Sequence, residues 1–492
     1  MTFVGKVKKL IKRILYKLPG IKIIFVKIDT LERMIADITI SMQQTNQSLQ
    51  TELFQVKSSY DEQICEMSRK ISSLNEMIEE QEHKIENISN ELDFQYEWNI
   101  WSRFALKKAI DAPIKVVFLI EEPSVIKNVL SIIEEMNNDR RFEVVLVNLW
   151  YKVYKNNDYT YKRPNIESVL DLSKYKLIES YSIIEDKWLE LDKLLPDYVF
   201  FSRPYDFYRN ESYHIGTVSK YARTCYVPYG IQTIGGEVEQ MVLTPECGNL
   251  YYFFMDNAIR KKVISEAMIG TSLAKKGKLV YLGYPGMDML SCHNEIKHVD
   301  DTCFTILWLP RWNNSEQNCH FFEYKDILVE YAKKHENCRV ILRPHSLCFN
   351  HFLNSGEMTD IQLGQLRKDY GEPNRIDETG NYIEAFSEST VLVADETSLI
   401  AEYFLTGKPI VFCKKQTHFS LLMEKLIEGC YVVNSSEELV CVLEQLQEGN
   451  DTLKLKREEI AKANLLDYGV SVACNIKEEL LEDFKNNIYF KS

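Results

Sequence analysis

None of the chain's twelve cysteines forms a Cys-x-x-Cys pair, which removes zinc ribbons and redox dithiols from the candidate chemistries. Their irregular spacing suits isolated thiols in a reducing compartment, packed mostly as small apolar side chains. Glycine and proline are sparse, 19 and 13 in 492 residues, so neither a collagen-like repeat nor a low-complexity chain fits. Asp-x-Asp does not occur, which argues against a metal-dependent glycosyltransferase built on a single Rossmann sheet. Also missing are Gly-x-x-x-x-Gly-Lys-Ser/Thr, Gly-x-Gly-x-x-Gly, His-Glu-x-x-His and Gly-x-Ser-x-Gly, and with them support for an NTPase, a dehydrogenase, a zinc protease or a serine hydrolase. An excess of cations is absent too. A net charge of −13 is wrong for a body that must displace the counterions of a nucleic acid, so no nucleic-acid partner is expected. No run reaches the ~18 apolar residues of a membrane span, and the N-terminus lacks the apolar core of a signal peptide. These absences predict a cytoplasmic protein.

What is present begins with an uneven charge distribution. Residues 1–27 carry Lys6, Lys8, Lys9, Lys12, Arg13, Lys17, Lys22 and Lys27 and no acid, with Val7, Leu10, Ile11, Ile14, Leu15 and Leu18 between them at helical spacing. Such a basic amphipathic helix predicts attachment to an anionic membrane surface, here the inner face of the cell membrane; the plainer alternative is a solvated basic helix. Residues 28–95 hold Ile28, Leu31, Ile35, Ile38 and Met42, then Leu49, Leu53, Val56 and onward to Leu92, spaced alternately by three and four without glycine or proline. That is a coiled-coil seam, and it predicts a homo-oligomer.

From Pro113 short apolar runs alternate with amphipathic helices, the pattern of parallel α/β units. Strands are expected at 115–120, 142–149, 198–202, 223–227 and 278–282, and a second series at 305–309, 339–342, 391–394, 409–412 and 431–433. The expected architecture is α/β, two tandem Rossmann-like domains at 113–290 and 302–470, preceded by the basic helix and the coiled coil and followed by a terminal helix at 471–492. Chemistry in such sheets sits beyond the carboxyl ends of the strands.

Three strand ends carry reactive side chains. Val391–Ala394 runs into Asp395, Thr397 and Ser398 at a helix start, with Glu402 one turn on. Hydroxyls there suit a diphosphate and the carboxylate suits ribose hydroxyls; an ordinary N-cap with an exposed Glu reads equally well. Arg343-Pro-His345 follows the strand at 339–342, and Pro310-Arg311-Trp312 follows 305–309. The two arginines suit phosphate neutralisation, and His345 suits phosphate binding or proton exchange.

Residues 220–415 resemble the CDP-glycerol glycerophosphotransferase family of teichoic-acid primases and polymerases. The family's Gly-Tyr-Pro-Arg-Asn-Asp is similar to Gly283-Tyr-Pro-Gly-Met-Asp288, and its Tyr-Ala-Pro-Thr-Trp-Arg is loosely similar to Trp308-Leu-Pro-Arg311-Trp312. Its Arg-Leu-His-Pro is similar to Arg343-Pro-His345. Its Thr-Asp-Tyr-Ser-Ser with a following acid and Lys-Pro is similar, in register, to Ala394-Asp-Glu-Thr-Ser398, Glu402 and Lys408-Pro409. The resemblance implies a GT-B fold and transfer of a polyol-phosphate from a CDP-activated donor to a lipid-linked or polymer acceptor in cell-wall or capsular polymer synthesis. Under it His345, Arg343, Arg311 and Tyr229 form the catalytic set. Asp395, Thr397, Ser398, Glu402, Gly283 and Asp288 hold the donor, and Gln232 and Thr233 lie on the acceptor side; no cofactor or metal ligand is assigned. One departure stands out. The family's His-Gly-Thr, whose His is regarded as the base, is replaced by Tyr229-Gly230-Ile-Gln232-Thr233, so either His345 or an acid such as Glu237 takes the proton, or the substrate differs, or the protein is inactive. The alternatives are a GT-B glycosyltransferase using a nucleotide sugar and a non-catalytic coiled-coil scaffold.

Overall fold

The computed structural model of the chain describes residues 7, 9–11, 13, 19–155, 158–233, 243–288, 303–313, 319–379, 382–415, 419–465 and 471–486. Most of the basic segment at 1–27, and Glu237, lie outside the described residues. The chain divides into two compact units, 1–92 and 93–492.

In the first unit residues 19–92 belong to the helix that runs from Pro19 to Ala109, whose residues from 93 onward belong to the second unit. The expected seam is exposed along it: Leu31, Ile35, Ile38, Leu53, Ile64, Ile71, Ile78 and Ile85 are all between 54 and 69% accessible.

The second unit begins earlier than the apolar pattern suggests. Ile100 and Phe104 are 1% and 0% exposed in the core of the first sheet. Arg103 donates from Nε to the buried Asp197 at 3.0 Å, and the Lys115 amide donates to the same carboxylate at 2.7 Å. The body therefore starts at 93 rather than 113.

Its first sheet consists of β1 (Ile114–Ile120), β2 (Phe142–Asn148), β3 (Lys176–Glu179), β4 (Tyr198–Phe201), β5 (Arg223–Tyr226), β6 (Tyr252–Phe254) and β7 (Lys278–Val280). All pairings are parallel and the order is β7-β6-β5-β4-β1-β2-β3. The second sheet consists of β8 (Phe304–Leu309), β9 (Cys338–Leu342), β10 (Arg375–Ile376), β11 (Val391–Ala394), β12 (Ile410–Cys413) and β13 (Tyr431–Val433), again parallel, in the order β10-β9-β8-β11-β12-β13. Both sheets have the doubly wound Rossmann order, so each reverses direction beside its first strand.

The sequence forces these strands to the centre. Ile-Lys-Val-Val-Phe-Leu-Ile in β1 is rich in β-branched and aromatic residues and is buried on both faces. Alternate side chains feed opposite layers: Val116, Phe118 and Ile120 join one cluster, Val117 and Leu119 the other. Ile306 and Trp308 against Leu307 and Leu309 repeat the pattern in β8.

The last helix, Val472–Asn486, returns to the first sheet, where Val472, Ile476 and Leu480 share a cluster with Ile100 and Phe104. Asp288 caps it, accepting from the Val472 and Ala473 amides at 2.8 Å each and from Ser471 Oγ at 3.0 Å. Among the described residues no helix is long and apolar enough to cross a membrane.

Candidate active site

The second sheet reverses between β8 and β11, and the chain beyond those two strands and β9 surrounds a cavity of about 510 Å3. Leu309 pairs with Ala394 and Trp308 with Leu342, so the three strands end at one level. The ladder continues one residue past them: the Arg343 amide donates to Trp308 O at 2.9 Å and the Asp395 amide to Leu309 O at 3.1 Å. Register therefore delivers Arg311, Arg343, His345 and Thr397 to one cavity, together with Trp312 and Tyr382.

Each cation is held by a partner that fixes its direction. Arg343 donates from Nη1 to Asp377 Oδ2 at 2.6 Å and from Nη2 to Thr379 O at 2.9 Å. Burial works against ionising Asp377, but the Thr379 hydrogen bonds and the Arg343 charge outweigh it and hold the carboxyl below its usual range. Arg311 donates from Nη1 to Glu396 O at 3.2 Å. Arg367, also on the cavity wall, makes a fork to Glu378 at 2.7 and 3.0 Å. The cavity is thus rich in guanidinium but not a bare cationic pit.

His345 lies against Trp312, with ring centroids 5.7 Å apart and 25° between planes. Its Nδ1 accepts from the Leu347 amide at 3.2 Å, which places the proton of the neutral ring on Nε2. That ring nitrogen is then a donor. In the neutral ring it can donate a hydrogen bond to a phosphate oxygen.

Several expected site residues stand elsewhere. Asp395 is 1% exposed and absent from the cavity wall; its carboxylate bonds His320 Nδ1 at 2.5 Å and accepts from the His320 and Arg311 amides at 3.0 and 2.8 Å. It ties the turn after β11 to Arg311 and His320 in the connection after β8, behind the site. Glu402, also 1% exposed, accepts from the Tyr382 hydroxyl and so braces a wall residue from behind. The helix expected after Ser398 is only five residues long, Leu399–Tyr403, and Ser398 makes no capping bond, so little dipole is available there. Lys408 donates to Phe386 O and Ser387 O at 2.8 Å each, and burial lowers its pKa to about 8. Asp288 is the helix cap described above. Gly283, at φ 101°, adopts a backbone that favours glycine and leads into Tyr284, which is buried against Asn128.

The loop after β5 meets this region. A Cβ at Gly230 would stand 3.4 Å from Ser398 Oγ, so the absence of a side chain permits the approach. Gln232 O and Thr233 O accept from Ser420 Oγ and the Ser420 amide at 3.0 and 2.9 Å. Both residues expected on the acceptor side thus fasten the first domain to the second through their backbones. Tyr229, 36% exposed, shares a 2.8 Å hydrogen bond with the Tyr205 hydroxyl.

Sequence reasoning missed Asp377, Tyr382 and His320. Asp377 follows β10 as Arg343 follows β9, and the carboxyl-end rule would have found it had a two-residue strand been legible.

Two doubly wound sheets in one chain, with the cavity at the switch point of the second, define a GT-B fold. No protein-family model matches the chain, and no curated protein matches it. Among solved structures the chain is similar to UDP-GlcNAc 2-epimerase from Neisseria meningitidis bound to UDP-GlcNAc, at 13% identity over 75% of this chain and 100% of that one, with a TM-score of 0.50. It is also similar to the wall teichoic acid polymerase TagF, at 14% identity over 80% of this chain and 98% of that one, also with a TM-score of 0.50. At these identities the likeness concerns the fold.

Proposed function

We propose that the protein is a transferase that moves a polyol-phosphate, glycerol-phosphate-like, from a CDP-activated donor to a lipid-linked or polymer acceptor in cell-wall or capsular polymer synthesis. The observation that carries the reading is the convergence of Arg311, Arg343, His345 and Thr397 on one cavity at the second sheet's switch point. The nucleotide lies in that cavity, with the diphosphate between Arg311 and Arg343 and the His345 Nε2–H.

An acceptor hydroxyl oxygen forms a bond to the donor's β-phosphorus, and the bond from that phosphorus to the bridging oxygen breaks. CMP departs with the bridging oxygen, its charge met by the arginines and by His345. Such transfers pass through a loose transition state in which the nucleophile needs little prior deprotonation. The hydroxyl proton can therefore pass to CMP or to water, and Tyr229 serves as a hydrogen-bond partner where the resembled family has a base. Positioning supplies most of the acceleration.

The basic segment at 1–27 holds the enzyme on an anionic membrane, and the coiled coil at 28–95 pairs with further copies. CMP release from CDP-glycerol in the presence of a lipid-linked acceptor tests the reading; hydrolysis or transfer with a UDP-sugar alone would favour the glycosyltransferase alternative, to which the epimerase likeness of the fold is equally suited. No turnover with either donor, with intact nucleotide binding, would leave the scaffold.

A further inference from the structure

We propose that the switch point of the first sheet carries an aromatic platform for a neutral sugar ring, so that the acceptor presents a saccharide rather than a polyanionic phosphate chain; this rests on the transferase reading above. The first sheet reverses between β1 and β4, and the loops after β4 and β5 bring four aromatic rings together there. Tyr205 stacks on Phe207 with centroids 5.1 Å apart, Phe207 meets Tyr208 at 4.1 Å, and Tyr205 meets Tyr229 at 6.4 Å. Phe207 is 59% exposed, and Tyr208 and Tyr229 are 36% exposed each. Four rings clustered with this much open surface exceed what an isolated surface aromatic explains.

The chemistry of the patch favours a carbohydrate. Its centre is apolar and fits the C–H face of a pyranose, while the Tyr205 and Tyr229 hydroxyls, bonded to each other at 2.8 Å, give it a polar edge. Its charges are already cancelled. Arg203 pairs with Glu122 and stands 5.6 Å over the Tyr208 ring, and Arg209 is buried between Glu121 and Asp206. These two guanidiniums against three carboxylates offer nothing to a chain of phosphates. Continuity with the donor side comes from Gly230, next to Tyr229, whose Cβ position is 3.4 Å from Ser398 Oγ.

Saturation-transfer NMR on the full-length protein tests this, with glucose, N-acetylglucosamine and its β-1,4-linked disaccharide as neutral probes and glycerol 3-phosphate as the anionic one. Ring C–H protons of at least one sugar should receive saturation, and Phe207→Ala and Tyr208→Ala, both at exposed positions, should each weaken that sugar roughly fivefold. Calorimetric affinity for CDP or UDP should be unchanged in both variants. No sugar binding, sugar binding indifferent to both variants, or preference for glycerol 3-phosphate would overturn the proposal. So would a change in subunit number on Phe207→Ala without a change in sugar affinity, which would assign the patch to a second copy. If wild type binds the sugar but no nucleotide, the platform stands and the transferase reading falls.

Discussion

Glu402 separates two accounts of the donor site. Its spacing from Ser398 suggests a carboxylate gripping ribose, whereas its burial at 1% and its bond from Tyr382 make it a brace behind the cavity wall. Glu402→Ala removes the buried hydrogen bond from the Tyr382 hydroxyl, in a residue 3% exposed. A loss of up to about 3 kcal/mol is expected. For a domain of this size that lowers Tm by roughly 6–12 °C. Glu402→Gln keeps an acceptor for Tyr382 and should lose about half as much. Differential scanning calorimetry reads the stability, and titration with CDP or UDP reads the site. The brace account predicts a large fall in Tm for Glu402→Ala and nucleotide affinity within about twofold for Glu402→Gln. An unchanged Tm in Glu402→Ala, with nucleotide binding weakened tenfold or more, would refute it.

Asp288→Ala should destabilise the body by about 1–2 kcal/mol through loss of a helix cap, and leave nucleotide affinity intact; chemical denaturation alongside titration checks both. Because Asp377 is held below its ordinary range in the folded chain, it binds a proton more readily unfolded. Its contribution is complete above the unfolded pKa near 3.9 and is lost as pH falls through the lower folded value. Arg343→Ala should therefore flatten the decline in stability below about pH 4, as denaturation midpoints at neutral and acid pH would show. Removing residues 1–92, but not 1–112, should give a folded body of smaller subunit number, because Ile100 and Phe104 belong to its core; light scattering and circular dichroism on both truncations decide it.

Periodicity made most of the fold legible, and the reasons it stopped are physical. Every strand expected from an apolar run is present, with ends shifted by no more than two residues, because a strand buried on both faces must be apolar throughout. Lys176–Glu179 and Arg375–Ile376 were not legible because they are short edge strands of mixed burial. Tyr252–Phe254 lies in an aromatic run that fits a helix or a strand alike. At the candidate site, the carboxyl-end rule pointed to Arg311, Arg343, His345 and Thr397, which line one cavity. It did not reveal which way a side chain faces: Asp395 and Glu402 follow the same strand as Thr397 yet are buried behind it. Spacing of four places Glu402 on the face of Ser398, but the Tyr382 hydroxyl that fixes its role comes from a distant helix start, and no local pattern records that contact.

The central claim is that the second sheet's switch point binds a nucleotide. Calorimetric titration of the full-length protein with CDP, CMP and UDP tests it directly, repeated with Arg311→Ala and His345→Ala. The account predicts one site per chain for at least one of these nucleotides, weakened tenfold or more by each substitution, as expected for lost bonds to a charged diphosphate of about 1.5–3 kcal/mol. Absence of binding by all three, or binding indifferent to both substitutions, would contradict it.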